Sequence, residues 1–265
     1  MRKQSLRNKQ LLEESKKKRL GQEKINFQGS IMKIIEYNNS KDILVEFQDE
    51  HKFCIRTNCS NFDAQTIKNP FVPTMKNIGY LGCLKVTNKL AYRYWAGMFD
   101  RCYDKENGIN KYPSYKECTI DKEWHNYYNF ERWFNENYYK ISNEVMCLDK
   151  DILVKGNKVY SSKTCIFVPA RINMLFEKCD KSRGKYPIGV SKRDETKYKN
   201  SYRAKYRDID GKRRTTKTFN NPLDCFYEYK KEKERVIKKA ADLYKDKIPT
   251  KLYDAMYNYI VEEND

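Results

Sequence analysis

The sequence predicts an α+β protein built from several small modules. Three observations carry this prediction: alternating apolar runs with turns between them over residues 25–85, helical spacing of apolar residues over 86–140, and a second set of alternating runs ahead of a helix start at Pro222. Aromatic residues make up 14% of the 265 residues, which is enough to build cores. We expect a small β-barrel-like module, a helical region with a ββα core, and a three-stranded antiparallel sheet plus helix.

Positive charge is concentrated in one part of the chain. The formal net charge is +18, and residues 181–217 alone hold 14 basic and four acidic residues. A surplus that served only solubility would be spread more evenly. This stretch therefore predicts a binding surface for a polyanion, most simply double-stranded DNA.

Composition also excludes several classes of protein. No apolar run reaches the roughly 18 residues of a membrane span, and no signal peptide follows the basic start, so we expect no membrane partner. Nine cysteines without a CxxC pair, together with only two histidines, argue against a disulfide framework or a zinc site. Reduced cysteines predict a cytoplasmic location.

The N-terminal third predicts an arm followed by a β module. Residues 1–24 contain no aromatic residue and are strongly basic, which indicates either a solvated, partly helical arm or one that neutralises phosphates. Alternating apolar residues then predict strands at Ile31 to Tyr37, Ile43 to Phe47 and Phe53 to Ile55, in a small antiparallel sheet or barrel.

Two amphipathic helices follow. The first places Trp95, Met98 and Phe99, with Cys102 and Tyr103, on one face. The second, roughly residues 126–139, repeats that spacing with Phe130, Trp133, Phe134 and Tyr138. We interpret both aromatic faces as core.

Residues 145–176 predict a hairpin and a helical turn. An apolar strand at 145–148 ends at Asp149-Lys150-Asp151, a Gly156-Asn157 turn and Val159-Tyr160 follow, and Asn173 lies in a later helical segment. This order resembles the ββα-metal core of HNH endonucleases and, with its flanks, a family of phage-encoded HNH-like proteins. The resemblance implies that Asp149 and Asn173 hold one Mg²⁺ or Mn²⁺ ion and that Asn157 is the loop asparagine.

One position of that pattern differs. Lys150 stands where the general-base histidine of the family belongs, and a solvated lysine with a pKa of about 10.4 is protonated at pH 7. We therefore expect a degenerate centre without a cofactor, with an active centre made of Asp149, Lys150, Asn157 and Asn173 as the alternative. Hairpin capping is a third interpretation of Asp149, Asp151 and Asn157.

The basic stretch itself predicts three strands, at residues 188–192, 201–209 and 212–219, with an Asp210-Gly211 turn and a helix starting at Pro222 behind an Asn221 N-cap. Strand periodicity sends Arg203, Lys205 and Arg207 to one face and apolar residues to the other. β-ribbons enter the major groove of DNA, where Arg recognises guanine.

The order Gly189-Val190, Tyr202-Arg203-Ala204, Gly211-Lys212, Phe219 and helix resembles the APETALA/ethylene-response-factor DNA-binding domain. Carrying over the DNA-facing positions of that family selects eight residues: Ser191, Arg193, Arg203, Lys205, Arg207, Arg213, Thr215 and Lys217. The tryptophans typical of the family are absent, so its base preference is not transferred.

The sequence thus leads to a phage-type, sequence-preferring double-stranded DNA-binding protein in the cytoplasm of a bacterial host cell, with a degenerate HNH-like centre. One alternative is an active metal-dependent HNH nicking or homing endonuclease. Another is an anti-defence inhibitor, for example an anti-CRISPR, that binds a host defence ribonucleoprotein. The predicted segments are 1–24 (basic arm), 25–85 (β module), 86–180 (helical region with ββα core), 185–243 (DNA-binding domain) and 244–265 (C-terminal helix).

Overall fold

The computed structural model describes residues 2–104, 106, 110, 113–176, 185–194, 197, 201–263 and 265. The helices are α1 (Arg2–Arg19), α2 (Cys59–Asp63), α3 (Lys89–Tyr103), α4 (Tyr127–Asn137), α5 (Ala170–Asn173), α6 (Pro222–Tyr244) and α7 (Thr250–Tyr257). The strands are β1 (Glu23–Ile25), β2 (Ile31–Asn39), β3 (Asp42–Phe47), β4 (Cys54–Thr57), β5 (Thr119–Ile120), β6 (Met146–Asp149), β7 (Val159–Tyr160), β8 (Ile166–Pro169), β9 (Val190–Lys192), β10 (Tyr202–Arg207) and β11 (Arg213–Thr215).

These elements confirm the mixed α+β class, and they fall into two compact units. The N-terminal unit comprises Met1–Pro113 and Lys122–Arg132, and the C-terminal unit comprises Ser114–Asp121 and Trp133–Asp265. Within the described ranges, no helix is both long and apolar enough to cross a bilayer.

The N-terminal unit contains an open sheet, which corrects the barrel-like prediction. Its four antiparallel strands lie in the order β1-β2-β3-β4, and no pairing joins β1 to β4 in this fully described part of the chain. A barrel closes only when its first and last strands pair along their length, and here these strands have three and four residues. One sheet face is buried against Phe62 of α2, and its residues are Met32, Ile34, Ile43, Val45 and Phe47.

Helix α3 forms where the sequence predicts it, and hydrogen bonds join its N-terminus to α4. Asn88 caps the helix by accepting the backbone N–H groups of Leu90 and Ala91. The buried carboxylate of Glu131, on α4, accepts the Tyr127 hydroxyl at 2.6 Å and the Asn88 backbone N–H at 2.7 Å. Burial by itself would raise the pKa of Glu131, but these hydrogen bonds and that of Thr87 lower it.

The strand pairing in the ββα segment differs from the sequence prediction. Strand β6 pairs antiparallel with β8, whereas the expected partner, β7, pairs in parallel with β5. The sequence patterns predict no strand at residues 166–169, where β8 forms with all four residues buried. A four-residue apolar run has no periodicity that separates a buried strand from a helix.

Helix α6 is the backbone of the C-terminal unit. Its first half packs Cys225, Phe226 and Tyr229 against the sheet β11-β10-β9. Its second half, including Val236 and Ala240, packs on β8, α5 and α7. The predicted helix start is confirmed, since Asn221 accepts the backbone N–H of Leu223 and Pro222 is the first helical residue. The apolar spacing along this helix also predicts burial of Leu243, which is instead 56% exposed.

Candidate nucleic-acid interface

The register of the three-stranded sheet gathers most of the predicted DNA-facing residues on one face. Residues directly opposite each other in antiparallel strands share a face. Ser191 lies opposite Arg203, Thr215 opposite Lys205, and Arg213 opposite Arg207. We call this set the sheet array: Ser191, Arg203, Lys205, Arg207, Arg213 and Thr215.

The other face of the sheet is held rigidly on α6. Ala204 is fully buried, and the Tyr206 hydroxyl donates to Glu232 at 2.9 Å. Gly189, next to β9, has φ +77°, and a Cβ atom there would lie 2.4 Å from the ring of Tyr229. This contact explains why a glycine is needed here and shows how closely β9 approaches the helix.

Among the residues that the structure describes, the cations of the sheet array have no acidic partners. In the described part of the chain, no carboxylate forms an ion pair with Arg203, Lys205, Arg207 or Arg213. Arg207 donates to the backbone carbonyl of Gly211, at 3.4 Å. The array therefore presents uncompensated positive charge on a backed sheet.

The neighbouring Arg214 behaves differently. It lies opposite Tyr206, on the other side of the strand, and its guanidinium is 3.3 Å from Asp208 and 3.4 Å from Asp210. The backbone N–H of Lys212, followed by the positive charges of Arg214 and Lys212, lowers the pKa of Asp210. Asp208 and Asp210 thus offset the charge of Arg214, which lies outside the sheet array.

Two predicted residues lie outside the array. Arg193 follows β9 and donates its backbone N–H to the carbonyl of Ser201. Lys217 follows β11. Thr216 contacts Ala204 and Phe219 contacts Tyr202, so two residues on this side face one residue of β10, and strand alternation does not extend to Lys217. Its ammonium group lies 5.3 Å from the Phe219 ring centroid.

The HNH-like residues close a loop. Asp149, at the end of β6, accepts the backbone N–H groups of Asp151 and Ile152 at 2.9 and 2.7 Å. The amide of Asn157 donates to the carbonyls of Lys150 and Val159, both at 2.7 Å. Burial, followed by the charge of Asp151, raises the pKa of Asp149.

Lys150 is buried, and its ammonium group lies 3.5 Å from Asp151 and 6.0 Å from the Tyr115 ring centroid. Asn173 is on the four-residue helix α5, and no hydrogen bond joins it to Asp149 among the described residues. Nor do three His, Cys, Asp or Glu side chains converge anywhere in that part of the chain. The hydrogen bonds of Asp149 and Asn157 fit the hairpin-capping interpretation of these two residues.

The C-terminal unit also exposes Lys231 and Lys238 on α6, which the strand patterns do not predict as site residues. Their spacing of seven residues places them on one helical face, so a search for helical charge patterns finds them. No protein-family model matches the chain, and no curated protein or solved structure matches it either.

Proposed function

We propose that this protein binds double-stranded DNA through the sheet array and prefers certain sequences. The observation that carries the proposal is the register, which aligns four cations on one face of a helix-backed sheet, none paired with a carboxylate among the described residues. Uncompensated cations release the counterions condensed on DNA phosphates when they bind, which supplies affinity.

The dimensions of the array fit the major groove. Alternate residues of β10 are about 7 Å apart along the strand, and the three strands together are about 10 Å across. The major groove is about 12 Å wide and admits a β-ribbon. Backing by α6 keeps the array in one geometry, so binding does not have to order it.

The residue types indicate a division of labour. Arginines form bidentate hydrogen bonds with guanine, so Arg203, Arg207 and Arg213 supply the sequence preference. Lys205, Ser191 and Thr215 suit phosphate oxygens, which position the protein without reading bases.

Residues 145–176, the ββα segment, act as a scaffold in this proposal. Residues of β8 and α5 pack on the second half of α6, the helix that also backs the sheet. Since Asp149 and Asn157 are engaged in loop closure, the proposed function contains no cleavage step.

Fluorescence polarisation with a 30-base-pair duplex across a salt series tests the proposal. The double variant Arg203→Ala/Arg207→Ala should bind at least tenfold more weakly, because two uncompensated cations are lost. Lys247→Ala/Lys251→Ala is the matched control, since it removes two exposed lysines outside the array. Equal affinity of wild type and the array variant contradicts DNA binding through the sheet.

Competition with duplexes of varied sequence tests the preference, and one common affinity for all of them contradicts it. Supercoiled plasmid incubated with Mg²⁺ or Mn²⁺ should stay intact. Metal-dependent nicking that is lost in Asp149→Ala would instead establish the endonuclease alternative.

A further inference from the structure

Helix α6 carries a second basic surface on its solvent side. Tyr227, Lys230, Lys231, Glu234, Arg235 and Lys238 line an open groove of about 500 Å³. Residues 230–239 hold six basic and two acidic residues. We call the exposed members Tyr227, Lys231, Arg235 and Lys238 the helix face.

Both acidic residues of this segment are engaged by the unit itself. Glu232 accepts the Tyr206 hydroxyl and pairs with Arg235 at 2.8 Å. Glu234 pairs with Lys230 at 2.7 Å and accepts the backbone N–H of Val261. Among the residues that the structure describes, neither Lys231 nor Lys238 forms an ion pair with a carboxylate.

The helix face and the sheet array point in opposite directions. At 3.6 residues per turn, Lys231 is about 160° around the helix from Tyr229, which packs against the sheet. The sheet array lies on the far side of that sheet, because Ala204, between Arg203 and Lys205, is the residue buried against α6. The sheet and its helix thus expose positive charge on both outer surfaces.

The chemistry of the helix face selects a polyanion. Its only aromatic residue is Tyr227, 58% exposed, and the remaining members are cations. Protein–protein interfaces are depleted in lysine, and two of the four members are lysines with no carboxylate partner among the described residues. Charge complementarity therefore favours a phosphate backbone as the occupant.

We infer that the helix face binds a second DNA duplex while the sheet array holds the first, so that one protein molecule bridges two DNA segments. The helix alone is about 10–12 Å in diameter, so a straight duplex on the sheet does not reach the helix face. Wrapping one duplex around both surfaces would need a sharp bend, and DNA resists bending over about 150 base pairs. This inference rests on the proposed function, since the first duplex is held by the sheet array.

A two-duplex capture experiment tests the inference. A biotinylated 30-base-pair duplex is fixed to beads, protein is added, and retention of a second, fluorescent duplex is measured. Lys231→Gln/Lys238→Gln removes two charges and keeps good helix formers. It should retain at least fivefold less of the second duplex, while its affinity for a single duplex in solution stays within twofold of wild type.

Lys247→Gln/Lys251→Gln is the matched control and should bridge as wild type does, since both lysines are exposed and lie outside the helix face. Circular dichroism verifies that all variants are folded. If the helix-face variant bridges as well as wild type, bridging arises from self-association and the inference is overturned. Wild type that binds one duplex without retaining a second overturns the inference alone, whereas wild type that binds no DNA overturns the proposed function.

Discussion

Arg213 and Arg214 offer a stringent internal test, because these neighbours in β11 point to opposite faces of the sheet. Arg213 belongs to the sheet array and has no acidic partner among the described residues, whereas Arg214 is paired with Asp208 and Asp210. For each phosphate that a protein neutralises, the DNA-binding constant scales with the salt concentration raised to a power of about −0.9. Losing one phosphate contact therefore lowers the affinity about fivefold at 0.15 M salt. Arg213→Ala should therefore weaken DNA binding about fivefold.

Arg214→Ala should change DNA affinity less than twofold. Its ion pairs are half exposed, so their loss should lower the free energy of unfolding by less than about 1 kcal/mol. Polarisation titrations at several salt concentrations measure both effects, and the salt slope of Arg213→Ala should be shallower by about 0.9. If the two variants lose the same affinity, net charge and not the array controls binding, and the reasoning from the register is refuted.

Three further predictions concern stability. Gly189→Ala should lower the free energy of unfolding by about 2–4 kcal/mol, because the new Cβ atom would clash with the Tyr229 ring and the residue would keep a positive φ. An unchanged thermal midpoint would show that β9 does not pack as described. Asp149→Asn keeps an acceptor for two backbone N–H groups and removes a half-buried carboxylate, so it should melt as wild type does, whereas Asp149→Ala should cost about 1–3 kcal/mol. Equal loss in both variants would contradict the capping role. The lowered pKa of Glu131 contributes stability that is present above the ordinary value of about 4.3 and is lost as the pH falls below it. Urea midpoints between pH 3 and 6 should therefore decline less steeply with acid in Glu131→Gln than in wild type. Parallel pH profiles of the two proteins would show that Glu131 does not contribute to the loss of stability in acid.

The organisation of the C-terminal unit places two roles on one helix. The first half of α6 fixes the sheet array and the second half covers the ββα segment. The C-terminal segment joins them further, since Lys155 pairs with Glu262 and Asp265 at 2.8 Å and Ile188 donates to the carbonyl of Glu263. Residues 145–176 thereby support the sheet through α6 and the C-terminal segment.

Local rules in the sequence were sufficient for part of this description. Strand alternation placed Arg203, Lys205 and Arg207 on one face, and capping chemistry placed the start of α6 at Pro222. Both depend on residues close together in the chain, so a pattern of period 2 or an Asn-Pro pair is enough to reveal them.

Only the tertiary structure decided which distant segments meet. It paired β6 with β8 and left the N-terminal sheet open. Both outcomes follow from which apolar surfaces are buried together. Neither is encoded in the spacing of residues along one strand, because pairing partners are separated by loops whose paths only the folded core determines.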